Sequence, residues 1–239
     1  MDFFFIYVIA PFFRGYARRR INWSKIPFGH LELTGPGRRA QFDQIAVDLR
    51  SFCRQVRTTG YNAVSLDDIA HLADHPWYEE AHRENVQILQ EEFRLLFAII
   101  RAENLSIYIT MDMLSFTPAL KARLGRDEGK ITAFIHELVQ QFLHDFPEIS
   151  GIILRIGESD GKDVKGLVRS ELCIRRPAQL NRLLKALLPL FEREQRRLIL
   201  RNWTVGAYSI GDFIWRRNTL AQVLAGIDSS AFVLSMKYG

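Results

Sequence analysis

Residues 149–158 read Ile149-Ser150-Gly151-Ile152-Ile153-Leu154-Arg155-Ile156-Gly157-Glu158. From Ile149 to Ile156 the run is almost continuously apolar and rich in isoleucine, too short for a core helix and without the polar alternation of a half-exposed strand. A strand of this kind is covered on both faces, as the strands of a parallel sheet are. The run breaks at Gly157 and delivers a carboxylate, Glu158.

Five more runs share this character: Phe3 to Ile9, Ala63 to Leu66, Ser106 to Met111, Arg197 to Leu200 and Phe232 to Met236. Amphipathic segments lie between them. Phe42 to Thr58 aligns Ile45, Leu49, Phe52 and Val56; Asn85 to Arg101 aligns Ile88, Phe93, Leu96 and Ile100. Ile131 to Phe146 and Leu180 to Arg193 repeat the pattern, and Thr219 to Leu224 repeats it weakly. Strand and helix in alternation predict an α/β fold with a parallel sheet.

Two architectures compete, an open doubly wound sheet and a closed barrel. No Gly-x-Gly-x-x-Gly follows a strand, and Gly206 and Gly211 stand too far apart to form one. Charged and aromatic residues gather just after nearly every strand, and the strand ends of a barrel converge on one face. The expected fold is a parallel (β/α) TIM-type barrel with about six of the eight strands present. It would be a single domain over residues 1–239, incomplete at its C-terminus.

Composition agrees with a globular protein: 48% of the 239 residues are hydrophobic and 25% charged. The net charge of +5 is scattered over helices, with one short run at Arg18, Arg19 and Arg20, so no nucleic-acid partner is expected. Asp2 stands where a signal peptide carries basic residues, and the apolar run after it is too short to cross a bilayer. No membrane partner is expected. Cys53 and Cys173 form no Cys-x-x-Cys motif, which suits free thiols in a reducing, cytoplasmic setting.

Glu158 is the leading candidate for a catalytic acid and Asp160 the second, since a partly desolvated carboxyl at a strand end can protonate a leaving oxygen. Their alternative role is that of polar loop or cap residues. Asp67, Asp68 and Asp112 follow the second and third strands and would bind sugar hydroxyls or cap the next helix. Arg155 and Arg201, set in apolar strands, need a carboxylate from the protein or from an acidic substrate, the protein being favoured. Trp203 would stack on a sugar ring or close the core, and Lys237 would hold an oxyanion or an internal acid. His71, His75 and His82 invite a zinc site, but Pro76 interrupts the helix that would align them. Neither metal nor cofactor is expected.

Four segments in order along the chain resemble the α-glucuronidase family, glycoside hydrolase family 67. They are Arg14-Gly15-Tyr16-Ala17 with Ile21, Gly60-Tyr61-Asn62-Ala63-Val64, Arg155 to Gly161, and Ser235-Met236-Lys237-Tyr238-Gly239. The resemblance implies a (β/α)8 barrel and inverting hydrolysis of α-linked glucuronic acid, with Glu158 as general acid. The family's Ser-Glu-Gly reads Ser159-Asp160-Gly161 here, which keeps Asp160 in contention. Its general bases follow later strands, so this stretch alone is expected to be inactive.

The expected function is glycoside hydrolysis of a uronic acid-containing or related glycan, with carbohydrate as the partner. The alternatives are a non-catalytic carbohydrate-binding barrel and an aldolase or isomerase, the aldolase using Lys237 as its amine.

Overall fold

The chain runs β1 (Phe5–Tyr7), α1 (Arg38–Thr58), β2 (Ala63–Leu66), α2 (Ile69–Leu72), α3 (Glu80–Ala102), β3 (Ser106–Asp112) and β4 (Ser115–Phe116). It continues through α4 (Pro118–Leu124), α5 (Glu128–Asp145), β5 (Gly151–Ile156), β6 (Arg169–Ser170), α6 (Pro177–Arg193), β7 (Arg197–Asn202), α7 (Thr219–Leu224) and β8 (Phe232–Met236). This computed structural model describes residues 5–7, 26, 28–156, 167–202 and 216–236.

Six strands form one sheet in the order β1-β2-β3-β5-β7-β8, and every neighbouring pair is parallel. Side chains alternate between its two faces. Val64, Leu66, Ile107, Ile109, Ile152, Leu154, Leu198 and Leu200 point outward and join the helices in the main core. Ala63, Tyr108, Ile153 and Ile199 pack against one another and against Val233 on the opposite face. Among the described residues that second cluster is made of strand side chains alone. A doubly wound sheet would put helices there; a sheet that curls over itself fills the space from its own strands. The fold is a parallel (β/α) barrel, with six strands of its sheet among the described residues.

Apolar side chains on both faces explain the unbroken hydrophobic reading of the strands. Gly151 belongs to the inner face. A Cβ there would lie 2.3 Å from the Arg197 carbonyl oxygen and 2.7 Å from the Tyr108 ring, so the bare backbone admits that ring.

Local chemistry sets where the helices begin. Thr117 caps α4, accepting from Leu120 N at 3.2 Å, and Asp127 caps α5, accepting from Lys130 N at 3.0 Å. Helices α1 and α3 begin before the expected Phe42 and Asn85, because their first turns are polar and carry little periodic signal. Phe52 and Ile88 are only half-buried, while Cys53 and Leu89 are buried beside them. The short helices α2 and α4 and the two-residue strands β4 and β6 carry too few residues to show a period. No described helix is long and apolar enough to cross a membrane.

Candidate active site

The C-terminal ends of the parallel strands bring Asp67, Asp112, Arg155 and Arg201 to one level of the barrel. Asp112 on β3 is the register partner of Arg155 on β5, which in turn faces Arg201 on β7. Arg155 Nε donates to Asp112 Oδ1 at 2.8 Å. Its Nη2 lies 3.3 Å from Asp67 Oδ1. All three side chains are sealed from solvent, with exposures of 0% for Arg155 and Asp67 and 1% for Asp112.

One guanidinium cannot satisfy all four oxygens of two buried carboxylates. Burial on those terms requires neutral donors as well. They are present. The Thr110 hydroxyl donates to Asp67 Oδ1 at 2.5 Å and the Ile26 amide to Asp67 Oδ2 at 2.7 Å. The Ser170 hydroxyl donates to Asp112 Oδ2 at 2.7 Å.

Asp68 takes the capping role, accepting from Ala70 N at 3.4 Å at the start of α2, with the Ser115 hydroxyl 3.5 Å from its other oxygen. Ser115 and Ser170 pair across the antiparallel ribbon β4–β6, Oγ to Oγ at 3.1 Å. The ribbon therefore stands over the strand ends, with Ser170 turned to Asp112 and Phe116, Glu171, Leu172 and Cys173 lining a separate cleft of about 460 Å³.

Of the residues singled out in the sequence, the structure joins Asp67, Asp112 and Arg155 in one cluster, with Arg201 in register beside it. Asp68 is tied in through Ser115. Glu158, Asp160, Trp203 and Lys237 lie outside the described residues. Thr110, Ser115 and Ser170 escaped the sequence reading. Thr110 alone left a trace, as the polar residue two before Asp112 on the inward face of β3.

The three histidines serve separate purposes. His71 stacks on Phe28 at 4.0 Å, His82 Nε2 bonds the Ala70 carbonyl at 2.9 Å, and His75 Nε2 meets Glu137 at 3.1 Å. Burial pushes the pKa of both His75 and His82 below the usual imidazole range. Among the described residues no group of three or more potential ligands is arranged for a metal ion. Burial also raises both thiols, Cys53 to about 12 and Cys173 to about 11.

No family model and no curated protein matches this chain. Among solved structures, it is similar to a GH138 enzyme targeting pectin rhamnogalacturonan II, with a TM-score of 0.57 over 86% of this chain at 12% identity. The likeness is one of fold, a parallel (β/α) barrel. Weaker likenesses include a xylanase from Cellvibrio japonicus (TM-score 0.45, 11% identity, 92% of this chain) and an endo-1,4-β-mannanase from Eisenia fetida (0.43, 16%, 84%). The matched part covers 24%, 65% and 63% of those three chains respectively.

Proposed function

We propose that this barrel belongs to a glycoside hydrolase that cleaves a uronic acid-containing glycan by general acid/base catalysis. The observation that carries the reading is the cluster of Asp67, Asp112 and Arg155, held in place where parallel strands end. Barrel enzymes keep their chemistry at that face. A buried Arg fixed by two acids makes β5 a rigid support for the residues that follow it, and Glu158 comes two positions after the last strand residue, Ile156. Glu158 is assigned as general acid, with Asp160 as the alternative.

Arg201, half-buried and in register with Arg155, is assigned to the sugar carboxylate because a planar guanidinium matches that group. Asp67, Asp68, Asp112 and Arg155 are assigned to the substrate site, and Trp203 and Lys237 are assigned as further sugar-binding residues. The similarity to an enzyme targeting pectin rhamnogalacturonan II supports a plant-polysaccharide substrate, and the α-glucuronidase resemblance supports a uronate within it. The proposal includes a single domain and a cytoplasmic location.

The test is release of new reducing ends from a panel of acidic and neutral glycans by the complete protein. Glu158→Gln should lower turnover by about 10²–10⁴-fold with an unchanged fold. If Glu158→Gln and Asp160→Asn both keep full turnover, the acid is elsewhere and the assignment fails. A non-catalytic binding barrel is the second reading. It draws on one observation: Asp67, Asp68 and Asp112 are all engaged by internal donors. It predicts glycan binding with no new reducing ends.

A further inference from the structure

Behind the β4–β6 ribbon lies the cleft of about 460 Å³, walled by that ribbon and by the first turns of α5 and α6. Its volume falls within the range of small-molecule sites. Its lining divides by chemistry. The floor is apolar, made of Phe116, Ile131, Leu172 and Ile174, all buried. The rim is charged, with four cations, Lys121, Arg126, Arg175 and Arg176, against two carboxylates, Glu128 and Glu171.

Both carboxylates are already neutralised. Glu171 pairs with Lys121. Glu128 pairs with Arg182 from outside the cleft and lies 3.8 Å from Arg176. Arg126 is exposed on the rim and makes no hydrogen bond or ion pair with any described residue. The rim therefore keeps an excess of positive charge, delivered by guanidinium groups suited to a planar carboxylate.

We propose that this cleft binds an acidic sugar through Arg126, with the ring's C–H face on the apolar floor. A bare inorganic anion would leave that floor and most of the volume unfilled. A neutral sugar would leave the rim charge unanswered. The inference rests on the glycan reading above and adds to it a second sugar site, on the far side of the ribbon from Asp112. One sugar chain held at both places would cross the ribbon, since Ser170 and Glu171 are consecutive residues, the first bonded to Asp112 and the second lining the cleft.

The experiment measures binding by isothermal titration calorimetry, with a uronate-containing oligosaccharide, the neutral oligosaccharide of equal length, and inorganic phosphate as probes. The protein carries Glu158→Gln throughout, so hydrolysis does not interfere. The expected result is binding of the acidic probe about tenfold tighter than of the neutral one, and about a tenfold loss in Arg126→Glu. Arg126→Lys should recover part of that affinity, and the far-UV spectrum of each variant checks its fold. Equal binding of acidic and neutral probes, equal binding of phosphate, or affinity unmoved by Arg126→Glu each overturns the proposal. Its failure is separable from that of the hydrolase reading. Turnover sensitive to Glu158→Gln with binding insensitive to Arg126→Glu removes the cleft alone. Arg126-dependent binding without any turnover removes the catalytic reading alone.

Discussion

Arg155 and Asp112 are register partners on adjacent parallel strands, and their side chains meet at 2.8 Å with neither exposed to water. Asp67, from a third strand end, approaches the same guanidinium at 3.3 Å. Truncating the arginine strands two carboxylates in the interior. Arg155→Ala should therefore lower stability by about 3–5 kcal/mol, read from urea unfolding midpoints. Arg155→Lys should recover only a part, because one ammonium cannot span both acids. A loss below about 1 kcal/mol in Arg155→Ala would place the pair among weak surface ion pairs.

Ser170 joins the β4–β6 ribbon to the barrel through its hydrogen bond to Asp112. Ser170→Ala removes a donor to a charged acceptor and should cost about 1.5–3 kcal/mol. The ribbon should loosen before the barrel does. Amide exchange at Glu171 and Cys173, which bond to Leu114 and Met113, should quicken while the strands of the large sheet keep their protection. Uniform acceleration over both regions would show that the bond supports the whole fold instead.

Gly151 faces Tyr108 across a gap that no side chain fits. Gly151→Ala sets its methyl group against the Arg197 carbonyl at 2.3 Å, and backbone cannot yield as a side-chain end can. The expected loss is about 1–3 kcal/mol or more by thermal unfolding. A neutral outcome would mean that β5 shifts away from β7 at little cost to admit the methyl group.

His75 and His82 are both held below the normal imidazole pKa, burial being the main cause in each. The unfolded chain thus binds protons at a higher pH than the folded one. Stability is complete above the unfolded value of about 6.5 and is lost as pH falls from there toward the depressed folded values. Urea midpoints should drop between pH 7 and pH 5, and NMR titration should find both rings still neutral just below pH 6.5. Rings that protonate at or above pH 6.5 would contradict this.

Much of the fold was legible because its strands advertise themselves. Ala63–Leu66 and Phe232–Met236 have the expected bounds, and Gly151–Ile156 lies within the expected run. Short apolar runs rich in β-branched residues leave few alternatives. The inward and outward faces were harder to tell apart, because Tyr108, Ile153 and Ile199 make the inner face apolar too. At the site, Arg155 stood out as a charge inside an apolar run that needs an acid, but which acids answer it, Asp67 and Asp112, shows only in the folded chain. Ser170 did not stand out. It lies 58 residues from Asp112 in a two-residue strand, and nothing local marks a serine for so distant a partner.

The polar cluster draws its members from far-separated stretches, Ile26, Asp67, Thr110, Asp112, Arg155 and Ser170. Each helix can find its apolar partners nearby, but these groups meet only after four intervening segments have been laid down. A strand inserted out of order would leave buried charges without their partners, so the arrangement penalises a wrongly threaded barrel.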